Sequence, residues 1–398
     1  MEEISILVCV NINNQEALDF DYSMEELKQL SEACGINVKG QVTQNLKAIH
    51  KDTYVGKGKI EEIRAVVEDN EATVLIVNDE LSPSQIRNLG KALAICVIDR
   101  SMVILEIFSY GAKTREAKLQ AEVAQLQYML PRLIGSRLYL SRQGGGSTLR
   151  NRGAGKTKLE LDRRQIEKKI VTLNKRLETL VKERQVQRNR RKKQHLPIVS
   201  LVGYTNAGKS TIMNRIIELF GHCKETKKVL EKDALFATLE TSVRQIVLED
   251  KKSFLLTDTV GFVDKLPHHL VKAFRSTLEE VIESDLLIHV VDASYVKMEN
   301  LIKVTEKTLD DIGVDSIPMI YAFNKNDCLD MVIPKIVREG IYLSAKENIG
   351  IEELVGIVKE YLYKDYLLCE LLILKEMLRL ILIKSVLCFQ PLIKKKAF

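Results

Sequence analysis

Short apolar strands alternating with amphipathic helices, a pair of heptad-spaced segments, and a strand–glycine loop–helix predict an α/β chain in three parts. The parts are an N-terminal α/β domain (1–112), an antiparallel, coiled-coil-like helical hairpin with a Gly/Arg-rich tip (113–195), and a P-loop domain with a doubly wound, mostly parallel sheet (196–362). A tail, 363–398, follows.

In the first part, ISILVCV, ATVLIV (72–77) and AICVID (94–99) have the continuous apolar character of buried strands. EELKQLSEACG and KIEEIRAVVEDN between them have helical spacing, and Gly35 ends the first.

In the second part, Leu119, Val123, Leu126, Leu130 and Leu133 recur at alternating steps of four and three across 115–134. Ile166, Ile170, Leu173, Leu177 and Leu180 do the same across 159–185. Each segment therefore carries a seam that suits two helices packed against each other. Between them, SRQGGGSTLRNRGAGKTK (141–158) is too rich in glycine to continue a helix, since each glycine costs about 1 kcal/mol in a helix interior. It holds Arg142, Arg150, Arg152, Lys156 and Lys158 and no acid, so it presents a cationic tip. Such a loop suits phosphate, and its arginine planes can stack on bases; the other reading is a solvated inter-domain linker that is basic. A second basic block, seven Lys and Arg against one acid between Lys182 and Lys193, fits nucleic acid or a solvated helix end.

In the third part, LPIVSLV runs into Gly203-Tyr204-Thr205-Asn206-Ala207-Gly208-Lys209-Ser210 and then the helical TIMNRIIELF, which begins at Thr211. This is the strand–GxxxxGK[ST]–helix setting in which backbone N–H groups and a helix N-terminus wrap phosphates. Lys209 is expected to reach the β- and γ-phosphates, and Ser210 to ligate Mg²⁺. SFLLTD then ends in Asp258-Thr259-Val260-Gly261, where a carboxylate holds Mg²⁺ through water and the Gly261 N–H senses the γ-phosphate. IPMIYAFNKND delivers Asn324, Lys325 and Asp327 to a strand end. The Asp327 carboxylate can accept two hydrogen bonds from guanine, whereas adenine would leave it desolvated and unpaired. Asn324 is expected to tie this loop to the phosphate loop, and Lys325 to lay its stem over the rings. In IYLSAKENIG, Ser344-Ala345-Lys346 brings the Ala345 N–H toward guanine O6. LLIHVVDAS adds a core strand whose last residue, Asp292, has a structural role. A threonine between the phosphate loop and Asp258 can close on Mg²⁺; Thr238 and Thr241 both lie there, and the residues alone leave the choice open.

With these residues in place, the chain resembles the HflX family of translational GTPases over roughly 1–360. The resemblance rests on YVGKGKIEEI, DELSPSQIRNL, VIDRSMVILEIF, TREAKLQAEVAQLQYMLPRL, SRQGGG, TKLELDRRQIEKKI, GYTNAGKSTIMNRI, EKDALFATLET and DTVGFVDKLPHHLVKAFRSTLEE. It implies a P-loop GTPase domain using Mg²⁺ and GTP/GDP, and binding to the large ribosomal subunit and its RNA. It implies splitting or rescue of stalled or idle ribosomes in the GTP-bound state, with Thr238 as the switch threonine. It also implies ATP use by some members through the N-terminal region. Where many ribosome-acting GTPases place a water-orienting His or Gln, this chain has Phe262, whose ring offers water no hydrogen bond. Slow intrinsic hydrolysis, stimulated by the ribosome, is the expectation. The family loop usually runs GGGIGTRGPGET; here Lys156 stands at its acid and Ala154 at its proline, so no role of that acid carries over.

Seven scattered Cys without a CxxC pair, and an acidic start in place of a leader, point to a reducing cytoplasm; a monomer is the expected state. The tail's apolar residues are interrupted by Glu370, Lys375, Glu376, Arg379 and Lys384, which leaves a packed amphipathic helix or weak peripheral membrane contact as its expectations. Beside ribosome splitting stand two other readings, a GTP-dependent large-subunit assembly factor and a membrane-associated regulatory GTPase.

Overall fold

The structure is a computed structural model, and it describes residues 3–12, 17–112, 114–133, 163–180, 196–220, 242–259, 261–263, 281–314, 316–329 and 331–366. The tip 141–158, the block 182–193, Thr238, Thr241, Val260 and the tail from 367 lie outside them. The chain forms two compact units: Met1–Asn189 with Lys232–Glu240 and Val260–Leu278, and Arg190–Glu231 with Thr241–Thr259 and Glu279–Phe398.

The first unit is built on a four-stranded sheet of order β2-β1-β3-β4, parallel throughout. Its strands are β1 (Ile4–Ile12), β2 (Asn37–Leu46), β3 (Val74–Val77) and β4 (Cys96–Asp99). Alternate residues of β1 enter different cores. Leu7 and Cys9 pack with α1 (Ala17–Ala33) and α4 (Arg100–Gly111), while Ile6, Val8 and Val10 pack with α2 (Lys57–Asp69) and α3 (Pro83–Leu93). A strand covered on both faces has no polar side to alternate, which is why ISILVCV is continuously apolar. The strand β2, not expected from the sequence, is an edge strand in which only Val42 is fully buried, so its polar composition concealed it.

Helix starts follow local chemistry. Ser82 and Gln85 form a reciprocal capping box with Pro83 at the first turn, and Asp99 and Thr114 cap the next two helices. Deep in this unit Arg100 bonds Glu26, and its Nη1 donates to Asn78 Oδ1 at 3.0 Å.

The helical pair is α5 (Arg115–Met129) and α6 (163–180). Leu119, Val123 and Leu173 are buried between them, with Leu126, Ile170, Leu177 and Leu180 packed around, and Lys169 lies 2.6 Å from Glu122. The predicted seam on the first helix runs too far. Leu130 and Leu133 fall in a 3-10 turn containing Pro131, which cannot donate a helical hydrogen bond. That turn is pinned instead by Arg132, which lies over the Tyr128 ring at 3.4 Å and donates to the Leu81 carbonyl at 2.9 Å.

The second unit holds a seven-stranded sheet, order β10-β11-β9-β8-β5-β7-β6. Its strands are β5 (Ile198–Gly203), β6 (Ser242–Val247), β7 (Ser253–Asp258), β8 (Leu286–Asp292), β9 (Met319–Asn324), β10 (Lys335–Val337) and β11 (Gly340–Tyr342). The five inner strands are parallel, and both edge strands run antiparallel to their neighbours. One face packs on α7 (Lys209–Phe220) and α9 (Ile351–Leu362) through Ile212, Ile216, Leu354 and Val358. Val291 and Phe323 face the other way, toward Met298 and Ile302 of α8 (Met298–Asp311). Such a doubly wound sheet opens its binding crevice at the carboxyl ends of its strands, where every sequence-predicted site residue within the described part of this unit is found.

Candidate nucleotide site

The centre of the site is the turn from β5 into α7. Gly203 has φ 145°, and a Cβ there would stand 2.2 Å from the Val290 carbonyl oxygen of the adjacent strand. Gly208 has φ 97°, and a Cβ there would stand 2.2 Å from Asn324 Nδ2. Only glycine fits either position, so the two glycines of the pattern are steric necessities. Between them Tyr204, Thr205 and Ala207 are buried, and Asn206 takes a left-handed conformation at φ 59°.

Lys209 is buried, and its Nζ donates to the carbonyls of Gly203 (3.1 Å) and Tyr204 (2.7 Å). Burial lowers its pKa to about 8, against a partial opposing effect of the Asp258 carboxylate. The Ser210 hydroxyl donates to Asp258 Oδ2 at 2.7 Å, so the two groups expected to share Mg²⁺ converge at the head of α7; Thr211 follows in its first turn. A hydroxyl and a carboxylate are hard oxygen donors, the kind Mg²⁺ takes, and the pair therefore fits that ion. Thr259 Oγ1 is tied to the Leu201 carbonyl at 2.6 Å, which anchors the strand just before Gly261. Phe262 is buried.

Asn324 joins the phosphate loop to the other two loops. Its Nδ2 donates to the Ala207 carbonyl at 2.8 Å, and its Oδ1 accepts from the Ala345 N–H at 2.9 Å. The first bond is the tie anticipated from the sequence. The second differs from expectation: the Ala345 amide expected at guanine O6 is held by Asn324 here. Asp327 is exposed and accepts from Ser344 Oγ at 2.7 Å, with Lys346 Nζ 4.0 Å from its other oxygen. The Ser344 bond, helped by Lys346, outweighs burial and keeps this carboxyl below the usual range. Lys325 has φ 66°, and its Nζ lies 2.7 Å from Asp292 Oδ2.

Three residues not singled out from the sequence lie at or beside the site. Asn326 is buried and donates to the Phe323 (2.6 Å) and Leu343 (3.2 Å) carbonyls, holding its loop closed. Arg215, one and a half turns along α7, donates to the Ala345 (3.1 Å) and Lys346 (3.2 Å) carbonyls, tying the phosphate helix to the third loop. His289, beside Val202 on the sheet, is buried and held neutral, its pKa pushed down to about 3 by burial and by the Lys209 charge.

Comparison with known proteins adds the family. Three family models match: a GTP-binding GTPase N-terminal region (21–109), a GTP-binding GTPase middle region (111–191) and a 50S ribosome-binding GTPase (198–325). The GTPase HflX of Caldanaerobacter subterraneus subsp. tengcongensis is 44% identical over 364 residues, 92% of this chain and 82% of that one. That of Lacrimispora saccharolytica is 45% identical over 365 residues, covering 91% and 84%. That of Escherichia coli K12 is 39% identical over 366 residues, covering 90% and 83%. With a phosphate loop and two further strand-end loops bonded into one crevice, and with likeness running through all three regions, the chain belongs to the HflX family of GTPases.

Proposed function

We propose that this chain is a Mg²⁺-dependent GTPase that binds the large ribosomal subunit, splits or rescues stalled and idle ribosomes, and resets by hydrolysis. The observation that carries the chemistry is the pair of bonds made by Asn324, which brings three loops into one crevice with phosphate-binding backbone at one end and Asp327 at the other.

In this reading the N–H groups from Gly203 to Thr211 hold the β- and γ-phosphates, and Lys209 exchanges its carbonyl partners for phosphate oxygen. Ser210, Asp258 (through water) and Thr238 hold Mg²⁺, which when bound offsets the charge on the β- and γ-phosphates. Asp327 accepts from the guanine ring N–H and amine, and Lys325 lines one face of the base. The Ala345 N–H is the donor assigned to O6, and Ser344 and Lys346 steady Asp327. Thr259, Val260 and Gly261 form the γ-phosphate sensor. Phe262 cannot orient water, so turnover without ribosomes is slow. Loss of the γ-phosphate releases Thr238 and Gly261 and with them the ribosome-bound shape.

The test is large-subunit binding with a non-hydrolysable GTP analogue, with GDP and without nucleotide, read beside sucrose-gradient profiles of whole ribosomes. Binding that prefers the triphosphate, with depletion of whole ribosomes, is expected. Equal binding in all three conditions overturns the switch; association with immature subunits alone replaces splitting by assembly. Liposome binding without ribosome binding would favour the membrane-associated reading.

A further inference from the structure

Asp292 ends β8 beside Asn324, its register partner on β9. Both of its carboxylate oxygens are engaged. Oδ2 lies 2.7 Å from Lys325 Nζ, while Oδ1 accepts from the Ser294 backbone N–H at 3.0 Å and from its hydroxyl at 2.5 Å. The carboxylate therefore cannot swing without giving up a bond.

Lys325 is fixed at both ends. Its left-handed backbone sets where the side chain departs, and Asp292 sets where the ammonium arrives. In the base pocket proposed above, the methylene stem between them would form an apolar wall. Asp327 lies two residues further along, on the same loop. An ammonium without Asp292 would be drawn to that second carboxylate and would compete with a base for it. The pair is partly exposed, 30% on Lys325 and 20% on Asp292, so its contribution to folding is small.

We infer that Asp292 is a positioning residue of the nucleotide site: it holds the Lys325 ammonium away from Asp327 and lays the lysine stem flat as a platform for the purine. The platform touches ring carbon and nitrogen, not exocyclic groups. It therefore serves any purine nucleotide that Asp327 admits. This inference rests on the base pocket proposed above.

A double-mutant cycle in the full chain tests it. Affinities for GTP, GDP, inosine triphosphate and tripolyphosphate are measured by equilibrium titration for the parent, Asp292→Asn, Lys325→Met and the double variant. Asp292→Asn is expected to weaken all three nucleotides, GTP and GDP by about 3- to 10-fold and inosine triphosphate, which gives Asp327 one bond fewer, by no more than that, and to have no further effect once Lys325 is Met. Tripolyphosphate affinity stays unchanged, and Asp292→Glu recovers part of the loss. The inference is overturned if Asp292→Asn changes nothing, if its effect persists in the Lys325→Met background, or if tripolyphosphate is affected equally. Asp327→Asn is measured in parallel. If it leaves the preference for GTP over xanthosine triphosphate intact, the base pocket itself is misplaced; if it shifts that preference and the cycle shows no coupling, only the role of Asp292 falls.

Discussion

The hydroxyl of Ser344 donates to Oδ1 of Asp327 at 2.7 Å, so the carboxylate assigned to the base is itself held by the following loop. This bond is the leading cause of the lowered Asp327 pKa. A depressed carboxyl pKa keeps Asp327 ionised, and fit to accept, further into the acid range. Ser344→Ala should move the acid limb of GTP affinity to higher pH and weaken binding at neutral pH by roughly tenfold. Affinity measured between pH 4 and 8 checks this; an acid limb that stays in place counts against the bond's role.

Asp327→Asn replaces one acceptor by a donor. Xanthine carries a carbonyl where guanine has its amine, so the preference for GTP over xanthosine triphosphate should shift by about 100-fold or more toward the latter. Competition binding with the two nucleotides measures the shift.

Lys209 gives a second pH dependence, of opposite sense. Its pKa near 8 means that it begins to lose its proton just above neutrality. Phosphate brought against the ammonium favours the charged form and raises that pKa, so binding takes up protons above about pH 8 and affinity declines as pH rises. Titration calorimetry at pH 8.5 in buffers of different ionisation enthalpy should register the uptake, and Lys209→Ala should abolish both it and tight binding. A buffer-independent heat would exclude this account.

Gly203→Ala forces a Cβ into the Val290 carbonyl oxygen at a φ that L-residues rarely adopt. The strands β5 and β8 must separate to admit it, at a cost of about 3 kcal/mol or more. Gly58→Ala is the matched control. Gly58 lies in the first turn of α2 with open space around it, so alanine there should change stability by no more than about 0.5 kcal/mol. Chemical denaturation of both variants tests the contrast.

How much was legible depended on whether backbone or side chain does the work. Gly203, Gly208 and Asn324 announce themselves because only those residue types meet the steric or bonding demand. Asp292 and Arg215 do not, since a strand-end acid and a helix arginine have many ordinary uses, and their targets lie on loops more than thirty and a hundred residues away respectively. The strand β2 was hidden by its exposure at an edge. The seam that placed Leu130 and Leu133 on a helix followed apolar spacing correctly but ignored Pro131, which turns the chain. The bond from the Ala345 amide to Asn324 was not foreseen, because a pattern of residue types cannot show it.

The buried pair Glu26–Arg100 offers a test remote from the site. Removing Glu26 takes away the carboxylate bonded to the buried Arg100, so Glu26→Ala should destabilise the first unit by about 3–5 kcal/mol. Replacing the two together by Leu and Met should recover most of that loss. Urea unfolding of the single and double variants decides, and a double variant as weak as the single would show that Asn78 or another neighbour carries the network.

Gly208 and Asn324 press so closely that no side chain fits at 208 while the asparagine amide stays in place. A side chain at 208 would displace the asparagine amide from both carbonyl and N–H partners, so damage to the phosphate grip spreads to purine discrimination. A substitution screen scoring only turnover would therefore misfile such variants as simple loss of nucleotide, when they have also forgotten which nucleotide to choose.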